Sequence, residues 1–510
     1  MKKILGVEFG STRIKSVLIN EKGEVLASGA HDWENKLENG FWTYSLDSVW
    51  AGLRDSYSDL VKNYGEKIES LDSIGISAMM HGYLAFDKDD NLLVPFRTWR
   101  NTTTAEAQAE LTRELSFNMP QRWSGTHFYQ AVLNKEEHVK DVAFLTTLAG
   151  YVHWKLTGKK VLGIGDAAGM FPTIGNEYDK EKLAIFNGLL AKNGVDKKLE
   201  DLLPTPLMAG EKAGSLTCDG ARLLDPTGTL KCGAIMCPPE GDAGTGMVAT
   251  NSVRAKTGNV SAGTSAFAMV VLEKPMTRVS TEIDIVATPS GNTVAMVHAN
   301  NFTSEINAWA SLFMDVIELS GGSIGKGKLY DLLYEVSLKS DNDIGGLVGY
   351  NFLSGEPIVG MEKGIPMVMR KPDGKMNIAN FMQMQLYSAL GAMSVGMEIL
   401  AEENVEIEAI CGHGGFFKCP FVGANAMSAA LGAPVTVMKN AGEGGAWGVA
   451  LLALFATVSG KTLEDFLDEQ FALADKETTV ASSEEKAKFA RFMAEYKKGL
   501  AVEDLAQKTF

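Results

Sequence analysis

Asp242 stands in the run 238–246, Pro-Pro-Glu-Gly-Asp-Ala-Gly-Thr-Gly, a carboxylate with a glycine before it and another two positions after. Small neighbours leave room for a substrate, so such a carboxylate can point into a cleft. The same residue could instead cap a helix beginning at Ala243, and the two roles are compatible. The second candidate is Gly10-Ser11-Thr12-Arg13-Ile14-Lys15-Ser16. It is one glycine short of a P-loop, and an apolar extended run follows it where a P-loop would open a helix. It fits a β-hairpin that grips phosphate, with small residues admitting backbone N–H groups and Ser11, Thr12 and Lys15 adding donors. A simple hairpin turn is the alternative. Val260-Ser261-Ala262-Gly263-Thr264-Ser265 repeats the pattern of Val7-Glu8-Phe9-Gly10-Ser11-Thr12, an offset of 253.

Two glycine-rich segments do not meet their motifs. Residues 163–169 resemble a dinucleotide loop with one residue too many, and they follow a lysine-rich turn. Residues 322–328 have P-loop spacing, but Leu329 occupies the Ser/Thr position. Both read as ordinary loops.

The elements that must hold the candidates follow from periodicity. Residues 4–9 and 14–20 read as strands joined by the Gly10 loop, and a third strand passes through Val25 and Leu26, giving an antiparallel meander. Val49, Trp50, Leu53, Tyr57, Leu60 and Val61 recur at helical spacing over 47–61. Residues 71–78 form a strand that ends in Met79-Met80-His81-Gly82. In the second half, strands at 259–262 and 266–272 flank the Gly263 loop. A long helix is expected over 378–403, and a short strand at 408–411 runs into Gly412-His413-Gly414-Gly415. Gly442-Glu443-Gly444-Gly445 opens a helix through Trp447. From Lys461 onward the charged, helical composition predicts a solvated C-terminal appendage. The repeat implies two related domains, 1–250 and 251–510, each offering one hairpin loop to a shared ligand.

Composition narrows the function classes. The 510 residues carry 48 Lys+Arg and 63 Asp+Glu, a net charge of −15, which argues against general nucleic-acid binding. The longest apolar stretch, 447–458, is too short to span a membrane. Glu8 interrupts the N-terminal apolar run too soon for a signal peptide. Five cysteines, an odd number without a Cys-x-x-Cys pair, read as reduced thiols in a cytoplasmic enzyme.

In their order and spacing these motifs resemble the FGGY carbohydrate kinases of the actin/hexokinase/Hsp70-like superfamily. The resemblance runs over most of 4–456: residues 6–15, Met80-His81-Gly82, Asp166-Ala167-Ala168-Gly169, Gly241-Asp242-Ala243-Gly244, 261–265, Leu353-Ser354-Gly355-Glu356, 412–415 and 443–450. Met-His-Gly looks most like the xylulokinase branch. The resemblance implies an α/β fold of two ribonuclease-H-like (actin-like ATPase) domains with ATP and a sugar between them. Asp242 would be the general base. Gly10, Ser11, Thr12, Lys15, Gly263, Thr264 and Ser265 would hold phosphates, with Gly412, Gly414, Gly415 and Phe416 bordering the adenosine. Met80, His81, Gly82, Arg100, Asn101 and Asp242 would line the sugar site. Glu8 and Asp242 would serve Mg²⁺, and the Asp166 motif would pack near the sugar.

The chain also departs from that pattern. Glu8 replaces the family's usual Asp, and Asn101 in Trp99-Arg100-Asn101 replaces an acid expected to accept a sugar hydroxyl. His413, Phe416 and Phe417 differ from the usual glycine-rich adenosine loop. The expected activity is ATP-dependent phosphorylation of a ketopentose-type sugar. Its rivals are an actin-like ATPase that drives partner binding and a degenerate, non-catalytic sugar-binding homologue. Sugar and ATP are the expected partners, without nucleic acid or membrane, and a homodimer is the expected assembly if the chain associates.

Overall fold

The structure, a computed structural model, describes residues 1–419, 421–438 and 444–510. They form two compact units: residues 1–254, 278–294 and 444–474 in the first, and 255–277, 295–438 and 475–510 in the second. The units are therefore not the two continuous segments, 1–250 and 251–510, that the repeat suggests.

The sheet of the first unit runs in the order Ile235–Met236, Ser73–Ala78, Ile4–Phe9, Arg13–Ile19, Val25–Asp32, with Glu240–Gly241 also on Ser73–Ala78. Ile4–Phe9 pairs antiparallel with Arg13–Ile19, so Glu8 faces Lys15, and parallel with Ser73–Ala78, so Gly6 lies beside Gly75. The meander is thus present, and the helix Leu46–Tyr64 supplies the crossover. Ser45 caps it by accepting the Ser48 amide, and Gly65 ends it in the left-handed conformation. Its Val49, Leu53, Tyr57 and Leu60 are buried with the apolar face of the sheet.

The helix Gly444–Phe455 explains the discontinuity of the first unit. It is apolar on all sides and buried for almost its whole length. Gly6 and Gly75 form a flat floor for it. A Cβ on Gly6 would lie 2.1 Å from the Ala446 carbonyl oxygen and 2.7 Å from the Ala450 nitrogen, and one on Gly75 would lie 2.5 Å from the Val449 carbonyl oxygen. Gly442 and Glu443, expected to open this helix, lie outside the described residues.

The second unit repeats the plan. Thr257–Ala262 is antiparallel to Ala266–Val271 and parallel to Ala409–His413, which continues in parallel to Val435–Met438. Thr293–Ala299 lies on the far side of Ala266–Val271, and Lys476–Thr479 is antiparallel to Val435–Met438. The long helix Ile378–Glu402 is buried along most of its length.

Two expectations are corrected. The C-terminal helix Ser483–Thr509 is not a solvated appendage, because Phe489, Phe492, Met493 and Tyr496 are buried and Tyr350 Oη donates to the Tyr496 carbonyl at 2.6 Å. Its charged residues mask an apolar stripe. Nor are all cysteines reduced. Cys218 and Cys232, with Cα atoms 4.8 Å apart, form a disulfide, while Cys237, Cys411 and Cys419 are free and buried. An odd count forbids full pairing but allows one bridge. Among the described residues no helix is long and apolar enough to cross a membrane.

The glycine floor makes a direct prediction. Gly6→Ala places a methyl group against helix backbone that cannot rotate aside. It should cost about 3 kcal/mol, seen as a lower denaturant midpoint with an unchanged m-value. A midpoint equal to the parent's would contradict this packing.

Candidate active site

Asp242 is the first residue of the helix Asp242–Ala249 and directly follows the strand Glu240–Gly241. The helix begins at Asp242 itself. Gly241 occupies the N-cap position, with no side-chain cap. The Asp242 carboxylate instead uses Oδ1 to accept the amides of Met80 at 3.1 Å and Ala243 at 3.0 Å. The first of these bonds ties the end of Ser73–Ala78 to the Asp242 helix. Burial raises the Asp242 pKa above the ordinary carboxylate value, opposed by the Met80 and Ala243 amides.

Glu8 sits at the end of its strand, facing the helix Gly444–Phe455. Its Oε2 accepts the Ala446 amide at 3.2 Å, and a Cβ on Gly445 would lie 2.3 Å from its Oε1. Burial, and then the like charge of Asp242, push the Glu8 pKa up to about 7 against the Ala446 amide and Lys15. Thr245, one turn along from Asp242, shares a hydroxyl hydrogen bond with Ser77 at 2.9 Å. Asp242 makes Glu8 harder to ionise, and with Lys15 nearby the pair suits a divalent cation, which would relieve the repulsion. Among the described residues no cluster of three or more His, Cys, Asp or Glu could hold a metal. Glu8 and Asp242 could therefore anchor Mg²⁺ only with phosphate oxygens and water completing its shell.

The chain reverses at Met80-His81-Gly82. His81 has φ 68°, in the left-handed region where a non-glycine residue is strained. Gly82 follows at φ 88°, and a Cβ there would meet the Arg97 carbonyl oxygen at 2.8 Å. His81 Nδ1 is 3.0 Å from the Gly169 carbonyl oxygen, and the ring stacks on Trp123 with centroids 6.1 Å apart. Burial, helped by the Arg122 charge, pushes the His81 pKa down to about 3. The imidazole is therefore neutral, Nδ1–H donates to Gly169, and Nε2 is an acceptor.

The Asp166-Ala167-Ala168-Gly169 segment packs beneath this turn. A Cβ on Gly169 would lie 2.7 Å from His81 Nδ1 and 2.9 Å from Met80 Cε. Asp166 is fully buried and accepts the Thr147 hydroxyl at 2.6 Å. Glu240, to which the sequence assigns no role, is buried as well and accepts the Asp166 amide at 2.9 Å. Burial drives both acids up, Asp166 to about 7 and Glu240 to about 8. Arg122 was also missed. It pairs with buried Asp284, which Asn118 Nδ2 reaches at 3.0 Å. Its carbonyl accepts the Gly82 amide at 3.1 Å. Partners 162 residues apart leave no local signal.

Arg100 and Asn101 are engaged elsewhere. Asn101 is buried. Its Oδ1 accepts the Trp42 amide at 2.8 Å, and its Nδ2 donates to the Trp42 and Thr98 carbonyls, each at 2.9 Å. Arg100 donates to Asn35 Oδ1 at 2.9 Å and stacks over the Trp42 ring at 4.0 Å. Among the described hydrogen bonds neither meets Met80, His81 or Asp242.

Both phosphate-loop candidates are tight hairpins. The Gly10 amide donates to the Arg13 carbonyl at 3.0 Å, and in the second unit the Gly263 amide donates to the Ser265 carbonyl at 2.9 Å. Thr264 lies exposed at the tip of the second loop. Gly414 has φ 106°, and a Cβ there would lie 2.4 Å from the Ala262 carbonyl oxygen. Gly412 is buried against the Phe417 ring, while Gly414 and Gly415 are exposed. Phe416 is fully buried, edge-on to Phe302 with centroids 5.0 Å apart. It supports the loop from within.

Comparisons with known proteins bear on the family and the fold. The model of the FGGY family of carbohydrate kinases, N-terminal domain, matches residues 3–225, and that of the C-terminal domain matches 258–457. A xylulose kinase of Staphylococcus xylosus is 22% identical over 229 residues, 42% of this chain and 45% of that protein. This chain thus spans less than half the length of that relative. A xylulose kinase of Haemophilus influenzae is 21% identical over 416 residues, 79% of this chain and 78% of that protein. The solved xylulose kinase of Lactobacillus acidophilus superposes with a TM-score of 0.80 at 18% identity, covering 98% of each chain. The gluconate kinase of the same organism gives 0.81 at 17% identity, covering 100% of each. At such identities the likeness of structures is one of fold, and the two family matches together cover most of the sequence. The chain belongs to the FGGY family of carbohydrate kinases.

Proposed function

We propose that this kinase transfers the γ-phosphoryl group of ATP to a hydroxyl of a ketopentose such as xylulose, with Asp242 as general base. The observation that carries the reading is the bond from the Met80 amide to Asp242 Oδ1. It fixes one carboxylate oxygen beside the strained Met80-His81-Gly82 turn, while no described hydrogen bond uses Oδ2. The free oxygen can take the proton of a sugar hydroxyl as that hydroxyl attacks the γ-phosphorus. The raised pKa of Asp242 makes it a better base than an ordinary carboxylate.

His81 contributes a neutral acceptor, held in one tautomer by Gly169, and so suits an uncharged hydroxyl. Ser11, Thr12 and Lys15 contact phosphate oxygens. Gly263, Thr264 and Ser265 form a second phosphate loop, with Gly412, Gly414 and Gly415 beside the adenosine. Mg²⁺, held by Glu8 and Asp242 through water, would neutralise phosphate charge. The ketopentose assignment draws on the relatives named xylulose kinase and on the Met-His-Gly turn. Use of ATP suits a cytoplasmic setting, where the Cys218–Cys232 bridge would face a reducing thiol pool.

Asp242→Asn keeps size and hydrogen bonding but cannot accept the proton. Sugar phosphorylation should fall by about 10²–10⁴-fold, with ATP affinity and melting temperature nearly unchanged. Near-normal turnover by a folded variant would reject the assignment.

Glu8 makes a second prediction, on pH. In the fold its pKa is about 7 against an ordinary 4.5, so the folded chain holds this proton more tightly than the unfolded chain. The favourable effect is complete below about pH 4.5 and is lost as pH rises through about 7. In metal-free buffer Glu8→Gln should therefore melt above the parent at pH 8, by about 3 kcal/mol at most. The gap should close toward pH 4.5, and Mg²⁺-dependent turnover should drop about tenfold or more. Calorimetry across this range checks the sign. A variant that melts below the parent at pH 8 would contradict it.

A further inference from the structure

The first phosphate hairpin has its carbonyl side occupied from outside. The Gly10 carbonyl accepts Trp33 Nε1–H at 2.7 Å, the Ser11 carbonyl accepts Tyr44 Oη–H at 2.6 Å, and the Thr12 carbonyl accepts the Trp33 amide at 3.1 Å. The two aromatic residues are themselves fixed. Trp33 is 7% exposed and Tyr44 3%, and their rings stack at 4.1 Å with planes 24° apart. Phe9 braces Trp33 from the edge at 6.1 Å.

A trans peptide is planar, so its N–H points opposite to its C=O. Pinning the Gly10 and Ser11 carbonyls toward the aromatic pair therefore turns the Ser11 and Thr12 amides the other way. No described hydrogen bond uses either of those amides. Trp99 adds a third contact, with Nε1–H donating to Ser11 Oγ at 3.3 Å. An oxygen that accepts there must send its own proton elsewhere.

The second hairpin is pinned in the same sense by different groups. Its Gly263 carbonyl accepts Thr303 Oγ1–H at 2.6 Å, and its Thr264 carbonyl accepts the Phe302 amide at 2.9 Å. Both loops thus have their carbonyls taken by the scaffold behind them. In the second the groups come from the consecutive residues Phe302 and Thr303. In the first, two come from aromatic side chains and the third is the Trp33 backbone amide.

We propose that Trp33 and Tyr44, assisted by Trp99, are positioning residues for phosphoryl transfer. They hold the Gly10–Thr12 carbonyls and so aim the Ser11 and Thr12 amides and the Ser11 hydroxyl at a nucleotide phosphate. The inference rests on the reading of this hairpin as a phosphate loop. Burial pushes the Tyr44 pKa up to about 12, so its hydroxyl stays a donor throughout the working range. Tyr44 has a single donor to give, and the stacking face that packs on Trp33 is separate from it. Phenylalanine at this position therefore keeps the stack while removing the pin, together with the hydroxyl's hydrogen bond with Asn35.

The test measures ATP and adenosine affinity by calorimetry, and steady-state kinetics, on full-length Tyr44→Phe and Trp99→Phe. Tyr44→Phe should weaken ATP binding and kcat/KM for ATP by about tenfold, leaving adenosine affinity, sugar KM and melting temperature close to the parent's. Trp99→Phe, at a partly exposed position, should give a smaller loss of the same kind. Equal losses for ATP and adenosine, or a parent-like kcat/KM for ATP in Tyr44→Phe, would overturn the positioning role alone. A parent that binds adenosine as tightly as ATP would overturn the phosphate-loop reading, and the positioning role with it.

Discussion

The close seat of the helix Gly444–Phe455 on Gly6 and Gly75 is the contact on which the site in the first unit depends. Backbone meets backbone there at distances that admit no side chain. The helix then presents Gly445 and Gly448 to its other neighbours. A Cβ on Gly448 would lie 2.1 Å from the Thr245 carbonyl oxygen, so the Asp242 helix rests against this one as closely as this one rests on the sheet. Glu8 reaches the Ala446 amide only because the helix end is this near. One packing arrangement thereby sets the positions of both candidate carboxylates.

Electrostatics pulls against that arrangement. Glu8 and Asp242 repel each other, and beneath them Asp242 raises the Asp166 pKa while Asp166 raises that of Glu240. Buried carboxyl groups without cationic partners are costly to ionise. The fold moderates the cost with amides: Ala446 for Glu8, Met80 and Ala243 for Asp242, Gly165 and Asp166 for Glu240. The strained backbone at His81 belongs to the same pattern, since strain of this kind persists where surrounding contacts enforce it. A site built for a charged nucleotide and a hydroxyl nucleophile needs such groups, and a fold optimised for stability alone would replace them.

What could be read from the sequence was local. The two hairpins, the strand leading to Met80 and the glycine-flanked Asp242 each sit within a few residues of the turn or helix start that defines them. What could not be read depends on distant partners. Asn101 looks like a sugar ligand from its neighbours Trp99 and Arg100, yet Trp42 engages its amide. Phe416 sits within a glycine-rich loop but turns into the core against Phe302. Trp33 and Tyr44 carry no motif, because their role is defined by the three carbonyls they meet. The first unit recruits residues 278–294 and 444–474 through packing and through pairs such as Arg122–Asp284, which no spacing rule encodes. The C-terminal helix misleads because its charges outnumber the apolar residues on its buried stripe.

The central claim is that the Asp242 site directs the phosphoryl group to a sugar hydroxyl and not to water. Phosphorus-31 NMR of a reaction containing ATP, Mg²⁺ and xylulose tests it most directly, because it identifies where the phosphorus goes. The account predicts a new phosphate-monoester resonance rising in step with ADP, little inorganic phosphate, and almost no ATP loss when sugar is omitted. Steady release of inorganic phosphate, independent of any sugar in a panel of ketoses, aldoses and polyols, would contradict it and identify the chain as an ATPase.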